Sequence, residues 1–248
     1  MSFLHDVAHW FNDPSHWRGT AGIPNRMYEH LQYSVCAMVA AIVLAVPVAV
    51  WLGHRRQFGT VAVNVSNVGR AIPSFAILVL GAQQFGLLEL PVIGSFTTFL
   101  ALVALAVPPL VTNAYVAVAE VSDDVRDAAR GVGMTEGQIL RRVELPLAVP
   151  LLMAGVRTAS VQVVATATIA AFVGAGGLGR YIIDGRAIFD NTQIFAGAVL
   201  VALLSLVTEV SLGFAQRALT PRGLRAELVT ARAAAVAATS VPDGKVNP

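Results

Sequence analysis

Apolar residues in this chain are gathered into long uncharged runs, separated by short polar segments. Residues 33–52, 71–88 and 90–119 carry no charge. The run 147–173 is interrupted only by Arg157, and 191–208 continues past Glu209 towards Phe214. Crossing about 30 Å of hydrocarbon takes roughly 20 helical residues, and each run has that reach. The pattern predicts an all-α membrane protein with five transmembrane helices. Length leaves a sixth open over 61–69, but Asn64, Ser66 and Asn67 make it a poor span. Pro108 and Pro109 interrupt the third run, and a buried helix tolerates such breakers where neighbours satisfy the freed carbonyls.

Composition agrees. Of 248 residues, 56% are hydrophobic and 13% charged, against about 25% charged in soluble domains. Arginine placement orients the spans. With 120–146 inside, twelve basic residues fall in cytoplasmic segments (Arg55, Arg56, Arg70; Arg126, Arg130, Arg141, Arg142; Arg217, Arg222, Arg225, Arg232, Lys245). Four fall outside: Arg18, Arg26, Arg180 and Arg186. Cytoplasmic loops carry the basic excess, so the N-terminus is expected outside and the C-terminus in the cytoplasm of an inner-membrane protein. Three parts follow. Residues 1–30 form an extracytoplasmic interfacial segment holding Trp10, Phe11 and Trp17. Residues 31–215 form the transmembrane domain, with a cytoplasmic loop at 120–146. Residues 216–248 form a tail, disordered at its end. No cleaved signal peptide is expected, because the first apolar run begins only near Leu31.

Several chemistries are excluded. Lys245, the only lysine, is followed by Val246, so no phosphate loop of the form GxxxxGK[ST] exists. Any ATP is hydrolysed on another chain. Cys36 is alone, which rules out an internal disulfide. All five histidines precede residue 55 without an HExxH pair, and no metal site is expected. An intramembrane hydrolase would need a base within the bilayer, paired acids or a GxSxG turn, and none is present. Gly174, Gly176 and Gly179 satisfy GxGxxG, but a spanning run precedes them and no strand–helix alternation follows. A turn or close packing at the outer end of the fourth span is the expected role.

Between the third and fourth long runs stands the charged phrase DAARGVGMTEGQILRRVELP, residues 127–146. It reads as helix, turn, helix. Ser122 caps the first helix, with Asp123 and Asp124 in its first turn. Asp123–Arg126 and Asp127–Arg130 are spaced as i,i+3 pairs. Gly131 and Gly133 end it. Thr135 and Gln138 have capping-box spacing for a second helix, on which Ile139, Leu140 and Val143 form an apolar stripe and which Leu145-Pro146 stops. Local physics leaves two uses for that amphipathic helix: lying on lipid headgroups, or filling a partner's groove.

The phrase resembles the cytoplasmic signature of ATP-binding-cassette importer permeases: Glu-Ala-Ala, three residues, Gly, nine residues, then Ile-x-Leu-Pro. Asp127, Ala128, Ala129, Gly133, Val143, Leu145 and Pro146 stand at those spacings, with Asp for Glu and Val for Ile. The stretches EHLQYS (29–34), AIPSFAILVL (71–80), GMTEGQILRRVELPLAVPLLMAGVRTA (133–159), TATIAAFVGAGGLG (166–179) and LTPRGLR (219–225) extend the resemblance to the osmoprotectant branch. It implies a type I importer permease fold with a coupling helix between spans three and four. Asp127, Ala128, Ala129, Arg130, Gly133, Thr135, Ile139, Leu140, Leu145 and Pro146 would then form the joint to a separate ATPase.

The resemblance further implies ATPase subunits, a second permease subunit (identical or sister), an extracytoplasmic solute-binding protein and a lipid bilayer as partners, with no nucleic acid. It implies no cofactor on this chain, ATP and Mg being held by the ATPase. The implied cargo is glycine betaine, choline, carnitine or similar quaternary amines; methionine, phosphonate or sulfonate is the alternative.

Inside the spans, Pro73, Ser74, Gln162, Thr166 and Thr168 are candidate pathway residues. The hydroxyls either line the route or bond helix carbonyls and help helices pack; Gln83 and Gln84 pose the same question. Residues 158–173 cover about 24 Å at helical rise, which sets Arg157 near the inner boundary, level with Glu209. The two either pair or snorkel separately.

Overall fold

A computed structural model of the protein describes residues 3–57, 74–85, 89–90 and 94–221, with the single positions 59, 64 and 223. Among the described residues, four helical segments are long and apolar enough to cross a membrane: Ile23–Arg55, Phe96–Ala119, Glu136–Val173 and Asn191–Leu219. The elements in order are α1 (Phe3–Asn12), a 3-10 turn (Pro14–Trp17), α2 (Ile23–Arg55), α3 (Ser74–Phe85), β1 (Glu89–Leu90), β2 (Gly94–Ser95), α4 (Phe96–Ala119), α5 (Asp123–Gly131), α6 (Glu136–Ile139), a π turn (Leu140–Glu144), α7 (Leu145–Ala167), a 3-10 segment (Thr168–Val173), α8 (Gly179–Ala187) and α9 (Asn191–Leu219). The helical fold class agrees with the pattern of runs. The second run is represented by α3, 12 residues long, and the conceivable sixth span lies outside the described residues apart from Asn64.

Small residues bring the helices together. On α2, Ala37, Ala41, Ala45 and Ala49 recur every fourth position and are at most 6% exposed. Ala37, Ala41 and Ala45 meet Leu102, Ala106 and Leu110 of α4 and Ala159 and Val163 of α7 in one cluster. Lipid tails are as apolar as leucine, so helices in a membrane associate by close fit of small side chains. Glycine serves the same end: a Cβ at Gly155 would stand 2.5 Å from Asn113 Cβ, and one at Gly53 2.7 Å from the Tyr115 carbonyl.

Three boundaries depart from the pattern, each for a physical reason. First, α2 begins at Ile23, well before the uncharged run. Pro24 suits a helix's first turn, and Arg26 pairs with Glu29 at 2.9 Å, so the helix projects beyond the apolar layer. Second, the run 90–119 is helical only from Phe96; its start belongs to an antiparallel ladder pairing Glu89 with Ser95 and Leu90 with Gly94.

Third, Leu145-Pro146 does not stop the helix. Pro146 offers no N–H to the Arg142 carbonyl, and its ring crowds the preceding turn. The five-residue π turn absorbs the defect: the Leu145 N–H donates to the Leu140 carbonyl, one residue further back than in an α-helix. α6 therefore runs on into α7.

The N-terminal segment packs on the bundle rather than standing apart. Trp10 is 7% exposed, stacked on His16 at 4.0 Å and set edge-on to Tyr181 at 5.4 Å. Phe3 meets Phe195 of α9 edge-on at 5.2 Å. The Tyr181 hydroxyl donates to the Ala21 carbonyl at 2.6 Å, which ties this arm to α8.

Candidate coupling site

α5 begins where Ser122, in extended conformation, accepts the Val125 N–H on its Oγ at 3.4 Å. It ends in a Schellman turn: the Gly133 N–H donates to the Arg130 carbonyl at 2.9 Å and the Met134 N–H to the Ala129 carbonyl at 3.1 Å. Gly133 has φ +84°, and nothing lies within 4 Å of where its Cβ would be. Glycine is needed here for backbone conformation, not for room. After the turn, Gln138 Oε1 accepts the Thr135 N–H at 2.9 Å, as the capping-box spacing predicts.

The inner face of α5 is bound to the rest of the chain by charge. Arg126 turns inward. Its Nε lies 2.9 Å from Glu144 Oε1, with side chains 6% and 0% exposed, and its Nη2 donates to the His54 carbonyl at 2.9 Å. His54 Nδ1 is 2.6 Å from Glu144 Oε2, and its Nε2 is 3.5 Å from Glu136. Just after α2, Arg56 donates to Asp123 Oδ1 and to the Val121 carbonyl, both at 2.5 Å. That guanidinium holds the Asp123 carboxyl below its usual range. Arg130 bridges Asp127 at 2.8 Å and Glu136 at 2.9 Å, and the Glu136 contact raises its pKa. The loop 120–146 is thus fastened to α2 and α7 at several points.

Two expectations change. Asp123 pairs with Arg56, not Arg126, because Arg126 is drawn to the buried Glu144. The stripe on the second helix faces its own chain: Ile139 is fully buried, and Leu140 and Leu145 pack beside Ala49, Ala114, Val118 and Ala148. The apolar side chains that the loop exposes lie on α5 and its end, where Val125, Ala128 and Val132 follow i, i+3, i+7 spacing, while the second helix exposes polar and charged residues such as Gln138, Arg141 and Arg142. Val125 is 41% and Val132 79% exposed. Asp127, Arg130, Gly133 and Thr135 are exposed around them, while Ala129 is buried and Pro146 half-buried.

His54, Arg56, Arg126 and Glu144 were not legible as site residues. The one available signal was Glu144, a lone acid between Arg141-Arg142 and a spanning apolar run.

The remaining candidates are scattered. Arg157 Nε lies 3.2 Å from Glu209 Oε1, and Arg157 Nη1 donates to Gln216 at 3.2 Å. Arg157 lies midway along α7, and Glu209 lies in the second half of α9. Gln162 is exposed and Thr166 half-buried on α7; Thr168 Oγ1 is buried with no partner among the described residues. Pro73 lies outside the described residues. Ser74 opens α3 with its side chain undescribed, and Gln83 is exposed.

Residues 35–224 match the family described as binding-protein-dependent transport system inner membrane component. The chain belongs to this family. It is a multi-pass inner-membrane permease, a transport component and not an enzyme. Similar proteins include a choline transport system permease protein of Bacillus subtilis, 34% identical over 81% of this chain and 89% of that one. A glycine betaine/carnitine/choline transport system permease protein of the same organism is 34% identical, covering 79% and 88%. An osmoprotectant import permease protein of Salmonella typhimurium is 34% identical, covering 80% and 92%. A solved structure of the MetNI methionine ABC transporter in inward-facing conformations matches with TM-score 0.70 over 84% of this chain and 99% of that chain, at 24% identity. The permease fold is therefore that of type I ABC importers.

Proposed function

We propose that this permease imports osmoprotectants of the quaternary-amine class, such as glycine betaine, choline or carnitine, by ATP-driven alternating access. The observation that carries the reading is the family match together with the named cargo of three relatives at 34% identity, each matched over about four fifths of this chain. Two permease subunits, identical or sister, enclose the pathway; a solute-binding protein delivers cargo outside, and ATPase subunits holding ATP and Mg dock inside. The N-terminus is extracytoplasmic and the C-terminus cytoplasmic, as the arginine distribution favours.

In this reading α5 is the coupling peg. Its Val125–Ala128–Val132 stripe seats in an ATPase groove, and its opposite face, through Arg126, passes displacement to α2 and α7. An apolar outer stripe beside a charged inner lock suits a joint that must dock reversibly yet not slip within its own chain. Asp127 and Arg130, with Gly133, Thr135, the buried Ala129 and Ile139 and the half-buried Leu140, Leu145 and Pro146, shape that joint.

The test is uptake by proteoliposomes holding the permease with its ATPase and binding protein. Radiolabelled glycine betaine or choline is expected to accumulate only with ATP inside the compartment where the ATPase sits. Accumulation of methionine in place of either amine would overturn the cargo assignment.

A further inference from the structure

Two stretches that the coupling loop does not use, EHLQYS and GAGGLG, come together across 148 residues of chain. Glu29 Oε2 accepts the Gly177 N–H at 2.8 Å while also holding Arg26 at 2.9 Å. One residue on, His30 Nδ1 accepts the Leu178 N–H at 3.3 Å. That assignment leaves the proton on Nε2, which donates to the Val164 carbonyl at 2.8 Å. Two neighbouring side chains of α2 therefore hold two consecutive backbone amides, and His30 also grips α7 one turn before it ends.

The segment so held is not ordinary helix. The long helical stretch Glu136–Val173 gives up its α-helix at Ala167, passes through the 3-10 turns of Thr168–Val173 and then bends. Gly174 and Gly177 both have positive φ, +84° and +87°. Non-helical backbone at membrane depth persists only where protein or a water-filled cavity takes its polar groups. The 3-10 turns close the helix and lead into a bend whose two left-handed glycines give the backbone freedom to pivot. Glycine is required for the approach as well: a Cβ at Gly176 would overlap the Glu29 carboxylate, and one at Gly179 the Thr168 carbonyl.

Exposure separates this contact from the inner joint. Glu144 is sealed at 0% exposure, whereas the Glu29 side chain is 26% exposed. Water can reach Glu29 and replace the Gly177 N–H, so the contact can open without stranding a charge. A polar catch on a glycine-flanked strap, wet on one side, can be made and broken.

We propose that Glu29 and His30 are the catch of the outer gate, and that segment 168–178 swings from α2 when the pathway opens outward. This rests on the importer reading given above. Glu29 and His30 act as positioning residues for the strap.

The test uses the complete transporter with Cys36→Ser and the pair Glu29→Cys, Gly176→Cys. Oxidation to the disulfide is expected to abolish ATP-driven uptake, and reductant to restore it. Undiminished uptake with the cross-link fully formed would overturn the proposal. A second measurement does not depend on cargo. Glu29→Ala is expected to raise ATP turnover in the absence of binding protein, while Glu29→Gln, which still accepts the Gly177 N–H, stays near the parent. Identical turnover per assembled transporter in all three would overturn the catch. Absence of betaine and choline uptake by the unmodified transporter would count against the cargo reading and leave the turnover comparison intact.

Discussion

Glu144, at the end of the π turn, and His54, at the end of α2, lie 90 residues apart in sequence and 2.6 Å apart in space. Arg126 of α5 closes the triangle from the other carboxylate oxygen. Breaking a buried ion pair by removing one partner costs about 3–5 kcal/mol, because the remaining charge stays buried, whereas replacing the whole set by apolar groups is often nearly neutral. Arg126→Ala is therefore expected to lower thermal stability of the purified transporter sharply. The pair Arg126→Met with Glu144→Leu is expected to recover much of that loss. In transport assays the double variant should remain uncoupled, since α5 has lost its buried fastening and only the exposed Arg56–Asp123 pair still ties it to the end of α2. Restored coupling there would show that the charges themselves are dispensable for force transfer.

Gly131 and Gly133 are two residues apart and should respond oppositely. Gly131 closes α5 without a positive φ, and its Cβ would meet nothing within 4 Å. Alanine there is expected to be neutral or stabilising by roughly 0.5–1 kcal/mol, from reduced freedom of the unfolded chain. Gly133 has equal room but φ +84°, a region that costs a residue with Cβ about 1–2 kcal/mol. Gly133→Val is expected to weaken ATPase docking while membrane insertion proceeds. Asn, which tolerates this region, should retain most of it. Equal docking of the Val and Asn variants in a pull-down would contradict the backbone explanation.

What could be read from sequence was governed by range. The Ser122 cap, the Asp127–Arg130 pair, the Gly133 turn and the Thr135/Gln138 box are contacts within a few residues, so spacing alone specifies them. Arg157 and Glu209 were placed together by depth, because hydrocarbon thickness converts residue number into height. Nothing local specifies that Arg126 prefers Glu144 to Asp123; that choice follows from a buried acid 18 residues on and a histidine 72 residues back. Pro146 misleads for a related reason. It ends an isolated helix, yet here burial of Ile139, just before the π turn, and of Glu144, its last residue, holds the helix together. The stripe of Ile139 and Leu140 was visible, but its facing direction depends on α2 and α4.

Tyr181 links the N-terminal arm to α8 through the Ala21 carbonyl, and burial raises its pKa to about 12. Only the protonated phenol can donate. In the unfolded chain the group titrates near pH 10, so unfolding releases a proton between about pH 10 and 12. The stabilisation is fully present below pH 10 and is lost as pH rises through the folded value. Tyr181→Phe is expected to cost about 1 kcal/mol at neutral pH, and the difference in melting temperature from the parent should vanish towards pH 12. Phe keeps the ring against Trp10, so a variant as stable as the parent at neutral pH would mean that ring packing, not the hydroxyl, makes the link.

The two faces of the coupling loop give opposite cross-linking outcomes. Val132 is 79% exposed and Val125 41%, whereas Ile139 is at 0%. With Cys36 replaced, Val125→Cys or Val132→Cys should be captured by the ATPase through a short bifunctional reagent. Ile139→Cys should be captured weakly and only after α5 has moved. Burying a smaller polar thiol at Ile139 also leaves a cavity, so that variant is expected to lose about 1–3 kcal/mol in stability, which a surface position would not. The two readouts are independent: capture maps what the partner touches, and the melting shift maps what the chain itself covers. Strong capture at Ile139 with no loss of stability would reverse the faces and make the second helix, not α5, the peg.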